Sequence, residues 1–355
     1  MLKEGGVFGL LKPPGMTSHD AVALVRRRLA MRRVGHGGTL DPAAAGVLPM
    51  LVGEATNLTP WLGLLTKDYR ATVLFGVATD SADLAGTVQA VDRHAAVREA
   101  ELAAAIAGLP GRIDQLPPAY SARRVGGRRL YERARTGDLS AEHIRQASRE
   151  VQVHQATLVN AAALGWGTYA DLPSVTLDIR CSSGTYIRQL ATRLGEELGL
   201  PACLAFLLRR RAAGLGLADC LTIESLALPG TQHLDRLLAP VWRGNARSLG
   251  FLPGAVLGPE AAGLVAQGVV LNGTHVQAWL DPEPDAAAEL AAGRLDRPWV
   301  RVISPTGSLL ALATREQSTD HPAKTVLRPR RVFAHVAAGW LAHGTGTRAR
   351  GGQQT

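Results

Sequence analysis

The residues that could do chemistry lie in one glycine-rich stretch, Gly35–Pro49, which places the carboxylate of Asp41 five residues after the imidazole of His36. Glycines let the backbone turn sharply and approach a ligand closely, and the following proline disfavours helical geometry at Asp41. The stretch contains no second carboxylate, no cysteine and no lysine. A lone acid favours nucleophilic chemistry over a paired acid and base. The alternative interpretation is that Asp41 caps a helix that begins at Pro42.

The charge of the chain points to an anionic partner. Its 39 lysines and arginines exceed its 30 acidic residues, which gives a formal net charge of +9. The arginines are clustered, in the ranges Arg26–Arg33, Arg123–Arg135, Arg209–Arg211 and Arg328–Arg331. Because guanidinium groups pair with phosphates in a bidentate way and stack on bases, nucleic acid is the first candidate. The alternative is a charge that serves solubility alone.

Cysteine, histidine and apolar patterns limit the other classes of function. The three cysteines, Cys181, Cys203 and Cys220, lack CxxC spacing, and no histidine set completes a zinc pattern. We therefore expect neither a metal site nor a disulfide framework, which fits a reducing, cytoplasmic location. No apolar run has the length of a signal peptide core or of a membrane span, so we expect neither export nor a membrane partner.

Strand and helix patterns follow one another irregularly, which favours an α+β fold over a doubly wound sheet. Apolar residues at every second position predict strands at Tyr69–Val77 and Val175–Cys181, and an apolar face over Ile187–Leu198 predicts a helix. Glycine, proline and asparagine accumulate at Arg243–Gly254, where we place a domain boundary. Beyond it, short apolar runs predict a small β-rich domain.

These patterns divide the chain into parts. Residues 1–245 are expected to form the larger domain, with a basic surface insertion at about 120–148, and residues 251–340 the smaller one. The acidic, alanine-rich stretch 281–297 is expected to be a surface loop. Residues 344–355 are expected to be disordered.

Six motifs resemble, in order, those of the TruB family of pseudouridine synthases. They are Lys12–Ser18, Gly35–Pro49, Lys67–Arg70, Pro117–Ala122, Cys181–Arg188 and Leu208–Arg210. The β-rich region after Gly250 resembles the RNA-binding PUA module that follows the catalytic domain in this family, and its ending Leu327–Val332 fits that module. The resemblance implies a mixed-sheet pseudouridine synthase catalytic domain followed by a small PUA-like domain.

The resemblance also implies roles for the matching residues. Asp41 is the implied catalytic nucleophile, and Arg188 is implied to pair with it. Without the resemblance, Arg188 is interpreted as a surface arginine on an amphipathic helix. His36 is implied to hold and flip the target nucleotide, and Tyr69 to stack on the target base. Packing in the core is the alternative role for Tyr69.

Two further residues are implied to line the uracil pocket, Tyr186 and Leu208. The stretch Gly199–Leu208 is one residue longer than the family pattern. Leu207 is therefore the alternative to Leu208 for this role.

The implied reaction converts uridine to pseudouridine at position 55 in the T loop of tRNA, after the target base has been flipped. The bond from N1 to C1′ breaks, the uracil turns, and C5 bonds to C1′, with no atom gained and no redox change. The resemblance thus implies no cofactor, the T arm of tRNA as partner, and no obligatory protein partner. Attack by Asp41 on the sugar or on the base stays open.

Two other functions are compatible with the sequence. One is a guide-RNA-dependent pseudouridine synthase of the dyskerin type. The other is an RNA-binding or RNA-folding protein without catalysis, against which the set of Asp41, Tyr69 and Arg188 argues.

Overall fold

The computed structural model describes residues 5–159, 167–169, 171–227, 231–283, 295, 297–317 and 325–333. The tail expected at 344–355 and most of the stretch 281–297 lie outside the described residues. Their expected disorder and loop conformation therefore stay predictions.

The helices and strands are numbered in chain order. The strands are β1 (Gly6–Lys12), β2 (Val34–His36), β3 (Ala45–Val52), β4 (Lys67–Phe75), β5 (Val77–Thr79), β6 (Val88–Val91), β7 (Gly111–Gln115), β8 (Arg124–Val125), β9 (Arg128–Arg129), β10 (Arg149–Leu158), β11 (Gly167–Tyr169), β12 (Leu172–Cys181), β13 (Ala202–Ala212), β14 (Leu215–Gly216), β15 (Cys220–Leu221), β16 (Arg243–Gly244), β17 (Gly254–Leu257), β18 (Leu271–Asn272), β19 (Val276–Leu280), β20 (Trp299–Ile303), β21 (Leu309–Gln317) and β22 (Thr325–Val332). The helices are α1 (Ser18–Leu29), α2 (Thr59–Leu62), α3 (Glu99–Ala107), α4 (Leu130–Arg135), α5 (Ala141–Gln146), α6 (Ile187–Glu197), α7 (Ile223–Ala227), α8 (Thr231–Leu238), α9 (Asn245–Ser248) and α10 (Pro259–Ala266).

Two large sheets organise these elements. The first has twelve strands along the path β15-β1-β3-β13-β4-β12-β10-β7, with β2, β11, β14 and β16 paired at its sides. It is mixed, because β1 pairs antiparallel with β3 whereas β3 pairs parallel with β13. The second has six strands in the order β18-β22-β21-β20-β17-β19. The predicted fold class, α+β with a mixed sheet followed by a β-rich part, is confirmed.

Helices α1 and α6 cover one face of the first sheet. The helix α1 buries Ala21, Val25 and Leu29, and α6 buries Leu190 and Leu194, all in one apolar cluster. Each large side chain removed from water contributes roughly 1.5–3 kcal/mol. This packing fixes α1 against β2, the strand before Asp41, and α6 against β13 and β4.

The start of α1 is set by a capping box between Thr17 and Asp20. The hydroxyl of Thr17 accepts from the N–H of Asp20 at 3.1 Å, and Oδ2 of Asp20 accepts from the N–H of Thr17 at 3.0 Å. Ser18, the first residue of the helix, is thereby freed from capping. Its side chain is buried and turns towards the Asp41 loop.

A second apolar cluster joins the two sheets. Val47 and Leu51 of β3 lie in the same cluster as Phe251, Leu312 and Phe333. The β-rich part is therefore anchored on the strand that directly follows the Asp41 loop. We retain the boundary between residues 245 and 251 as a proposal.

The predicted basic insertion at 120–148 contains the small β8–β9 hairpin and the helices α4 and α5. Leu130 near its middle and Ala147 at its end are buried, so this insertion packs on the rest of the protein at both places. The limits of this insertion also stay a proposal.

Gly46 gives the fold a testable point of strain. Its φ is +116°, and a Cβ there would lie 2.2 Å from the carbonyl oxygen of Arg209 on β13. We expect Gly46→Ala to lower the free energy of unfolding by about 3 kcal/mol, because backbone strain and overpacking each cost about 1–3 kcal/mol. Denaturant unfolding measures this. Gly35→Ala is the control, because its Cβ would meet only Thr56 at 3.6 Å. Equal stability of the two variants would contradict the account.

Candidate active site

Asp41 lies on a turn and does not cap a helix. Its carbonyl oxygen accepts from the N–H of Ala44 at 3.1 Å, and β3 begins at the next residue, Ala45. This one-turn reversal excludes the alternative in which a helix starts at Pro42. The side chain of Asp41 is 36% exposed, so a substrate can reach it.

The guanidinium group of Arg209 holds the loop on both sides of Asp41. Nε donates to the carbonyl oxygen of Val47 at 2.8 Å, Nη1 to that of Thr39 at 3.0 Å, and Nη2 to that of Gly38 at 3.0 Å. Arg209 is 1% exposed. The planar fork of an arginine suits three carbonyls in fixed positions. The two ends of the loop therefore cannot separate without leaving a buried charge unsatisfied.

Two more side chains fix the loop from the side of β1 and α1. Lys12 is fully buried, and its Nζ donates to the carbonyl oxygens of Met16 at 2.8 Å and Pro42 at 3.2 Å. The hydroxyl of Ser18 donates to the carbonyl oxygen of Leu40 at 3.0 Å and accepts from its N–H at 2.9 Å. Both residues that neighbour Asp41 in the chain are thus held by buried groups.

Arg188, the second residue of α6, meets the carboxylate of Asp41. Its Nε lies 3.0 Å from Oδ2 of Asp41, and its Nη1 lies 3.6 Å from Oδ2 of Asp83. Nη1 and Nη2 also donate to the carbonyl oxygens of Ser81 at 2.9 Å and Tyr120 at 3.0 Å. Nε makes no hydrogen bond within the described residues, so its contact with Asp41 is an ion pair set by distance. Arg188 is buried and is not a surface arginine.

His36 ends β2 and remains on the same loop as Asp41. Its Nδ1 accepts from the N–H of Gly38 at 3.3 Å, and its ring meets that of His19 edge to face, with centroids 6.0 Å apart. Burial lowers the pKa of His36, and the charges of His19 and Arg209 lower it further. The imidazole is therefore neutral at neutral pH.

Tyr69 lies on β4 against the Arg209 guanidinium. Burial raises the pKa of Tyr69 to about 12, and the nearby charge and hydrogen bond of Arg209 act against this. The residue is 7% exposed and belongs to the main apolar cluster. The structure thus shows the core packing that was the alternative role, and stacking on a base stays a proposal.

Leu207 lines a cavity together with Asp41, and Leu208 is not among the residues that line it. Asp41, Asp83, Leu84 and Leu207 line one small cavity. Leu208 is half-buried and pairs with Ala45 across the sheet. The pairing of β13 with β4 shifts by one residue between Leu204 and Phe206, as in a β-bulge, and such a shift moves later side chains to the other face of the sheet. The choice between Leu207 and Leu208 for the uracil pocket stays a proposal.

Tyr186 is half-buried and directly precedes α6. Both of its backbone groups bond to the side chain of Gln115, at 2.7 and 2.9 Å. The described geometry therefore brings Asp41 and Leu207 to one cavity. Arg188 contacts Asp41, and Tyr186 directly precedes the helix that carries Arg188.

Sequence reasoning missed the structural role of four residues that build this site, Lys12, Asp83, Gln115 and Arg209. It counted Arg209 in a cluster expected to face an anion, whereas the structure buries this side chain against backbone carbonyls. For two of the four residues the sequence held an indication of burial. Lys12 ends an apolar strand and Arg209 follows an apolar run. A charge that is buried in such a place needs partners, so both residues were candidates for a structural role. Burial lowers the pKa of Lys12 to about 8, helped by Arg209 and opposed by Asp41.

The described residues contain no group of three or more histidine, cysteine or acidic side chains that could hold a metal ion. Within the same residues, no helix is long and apolar enough to cross a membrane.

The role of Arg209 can be tested through stability. Arg209→Lys keeps the charge, but one ammonium group cannot reach three carbonyls that a planar fork spans. We expect the free energy of unfolding to fall by about 2–5 kcal/mol, since each unsatisfied buried carbonyl costs about 1–3 kcal/mol. The matched control is the neighbouring Arg210→Lys, whose exposed side chain pairs with Asp178; exposed pairs contribute about 0–1 kcal/mol. If both variants lose the same free energy of unfolding in denaturant, Arg209 does not hold the Asp41 loop through its three hydrogen bonds.

Comparison with known proteins agrees with this geometry. The family model described as the N-terminal domain of TruB family pseudouridylate synthases matches residues 26–187. A protein named tRNA pseudouridine synthase B from Moorella thermoacetica is 39% identical over 330 residues, which are 92% of this chain and 99% of that protein. A protein of the same name from Synechocystis is 44% identical over 221 residues, or 62% of this chain and 71% of that protein.

Solved structures share the fold at lower identity. An archaeal box H/ACA complex of Nop10 and Cbf5 contains a chain with a TM-score of 0.64 and 22% identity, and the match covers 94% of this chain and 86% of that chain. A Cbf5–Nop10–Gar1 complex gives a TM-score of 0.65 at 22% identity, covering 94% and 85%. These matches establish the fold, and the high identity to relatives over nearly their whole length establishes more: this chain belongs to the TruB family of pseudouridylate synthases.

Proposed function

We propose that this protein converts uridine to pseudouridine at position 55 in the T loop of tRNA, with Asp41 as the nucleophile. The observation that carries the proposal is the accessible carboxylate of Asp41, which stands on a turn held by buried side chains and lies 3.0 Å from the buried Arg188. The names of the relatives, tRNA pseudouridine synthase B, support tRNA as the substrate. The position in the T loop rests on the resemblance of the motifs.

The proposed chemistry needs a carboxylate at the reacting sugar or base and no redox step. Asp41 attacks C1′ or the uracil ring, the bond from N1 to C1′ breaks, and the freed uracil turns. C5 then bonds to C1′ as the bond to Asp41 breaks. C5 loses its proton, and N1, which has lost its bond to C1′, takes one up, so that no atom is gained. Arg188, 3.0 Å from Oδ2 of Asp41, orients this carboxylate in a site from which the RNA excludes water.

The neighbouring side chains have supporting roles in the proposal. Leu207 contacts the uracil from the cavity that it shares with Asp41. Tyr69 offers the face of its ring to the base, and Tyr186 closes the pocket at the start of α6. His36, neutral because of its lowered pKa, helps to hold and flip the target nucleotide.

Flipping the target base costs a few kcal/mol, and favourable binding of the RNA to cationic side chains must offset this cost. The net charge of +9 supports such a partner. In the second sheet, Arg328 and Arg330 are exposed on β22 and suit phosphate contacts, which position RNA without reading its sequence. We propose this sheet as a PUA-like RNA-binding part.

The substrate assignment is tested by mapping the product on an unmodified tRNA transcript. We expect pseudouridine at position 55 and at no other uridine, with enzyme and tRNA alone in a buffer containing EDTA. A transcript with cytidine at position 55 is the control. Turnover that appears only after addition of a guide RNA would favour the dyskerin-type alternative, and binding without product would favour the non-catalytic one.

The nucleophile assignment is tested with Asp41→Asn. An amide has the shape of the carboxylate but does not attack carbon, so we expect product formation to be abolished. Binding of tRNA should persist within about tenfold, or about 1.4 kcal/mol. Asp114→Asn, a change at an exposed carboxylate, is the control and should keep full activity. Normal turnover by the Asp41 variant would exclude Asp41 as the nucleophile.

A further inference from the structure

The side-chain amide of Gln115 binds the backbone of Tyr186 as a neighbouring strand would. Gln115 is the last residue of β7 and is 5% exposed. Its Nε2 donates to the carbonyl oxygen of Tyr186 at 2.9 Å, and its Oε1 accepts from the N–H of Tyr186 at 2.7 Å. Only one orientation of the amide satisfies both groups. The residue before α6 is therefore fixed by one buried side chain.

The residue opposite Gln115 in the sheet holds the same turn. Gln115 pairs with Arg149 on β10, and Nη2 of Arg149 donates to the carbonyl oxygen of Ser183. Gly184 has a φ of +76°, and a Cβ there would overlap the guanidinium group of Arg149. Side chains of β7 and β10 thus hold the turn that leads into α6.

The contact between Gln115 and Tyr186 lies two residues before Arg188. Because the first turn of α6 begins at Ile187, a shift of Tyr186 moves Arg188 with it. Tyr120, five residues after Gln115, also accepts from Nη2 of Arg188 at 3.0 Å. The segment 115–120 therefore contacts both the start of α6 and the guanidinium group that faces Asp41.

We propose that Gln115 is a positioning residue, which sets where the guanidinium group of Arg188 stands against the carboxylate of Asp41. The inference rests on the proposed function of that pair and extends it to a residue that does not touch the substrate. A displacement of about 1 Å at a catalytic group can cost two orders of magnitude in rate. The loss of Gln115 should therefore affect turnover more than RNA binding.

Two variants of Gln115 and one neighbour test the proposal. Gln115→Ala removes both bonds to Tyr186, and we expect kcat to fall by at least tenfold while the Kd for tRNA changes by less than threefold. Gln115→Glu keeps the size, but an ionised carboxylate cannot donate to the carbonyl oxygen of Tyr186, so kcat should fall similarly at pH 8. Asp114→Ala, on the same strand but exposed, should keep kcat within twofold. Normal kcat in both Gln115 variants would overturn the proposal.

A pH series separates positioning from general loss of structure. A neutral carboxyl group can donate and accept as the amide does, and burial favours this neutral form. The deficit of Gln115→Glu relative to the wild type should therefore shrink as the pH falls from 8 to 5.5, whereas that of Gln115→Ala should stay constant. If both deficits stay constant, Gln115 does not act through its two bonds to Tyr186.

A double-mutant cycle tests whether Gln115 acts through Arg188. In an Arg188→Lys background, where the guanidinium fork is already lost, Gln115→Ala should cost less than twofold in kcat. The same tenfold cost in both backgrounds would overturn the proposal.

Thermal unfolding is followed for every variant, and if Gln115→Ala does not fold, Gln115→Glu in the pH series decides. Turnover by Asp41→Asn would refute the proposed function itself, whereas an inactive Asp41→Asn beside a fully active Gln115→Ala would refute this inference alone.

Discussion

The active-site loop depends on the burial of the Arg209 charge. A guanidinium group that is 1% exposed must find its hydrogen bonds inside the protein, and it finds them at the carbonyl oxygens of Gly38, Thr39 and Val47. Taking a charge from water costs several kcal/mol unless such partners are in place. Opening the loop would remove these partners and leave the buried charge without hydrogen bonds, which would be strongly destabilising. The position of Asp41 between the bonded carbonyls follows from this constraint.

The same constraint produces an electrostatic setting suited to the reaction. Lys12, Arg188 and Arg209 are all buried and surround a loop with one carboxylate. These cations are held by backbone carbonyls, so they do not have to reorganise when the substrate arrives. A fixed cationic site also attracts the phosphates of RNA. Catalysis and substrate binding thus draw on one arrangement of charges.

Local patterns predicted the parts of the site that depend on neighbouring residues. The glycines and Pro42 predicted that Asp41 stands outside a helix, and the structure has a turn there. Alternation predicted the strand of Tyr69, and the apolar face predicted the helix that carries Arg188. Each of these features is encoded within a few residues, so a reading of the sequence alone could reach them.

Contacts between distant segments could not be predicted in this way. Gln115 and Tyr186 are 71 positions apart, and Arg209 lies 162 positions from Val47. Nothing in the local pattern announces either bond. The face of the sheet to which Leu207 and Leu208 belong depends on a β-bulge between Leu204 and Phe206. The sequence does not show where in the strand such a bulge lies.

A crystal structure of the Asp41→Asn variant bound to a tRNA T arm tests most directly whether Asp41 is the nucleophile. We expect a uridine flipped into the cavity beside Leu207, with C1′ or the uracil ring about 3–3.5 Å from the substituted side chain, as in a near-attack geometry. Arg188 should remain beside that side chain. A target base that stays stacked in the RNA, or one that lies closer to another carboxylate, would contradict the account.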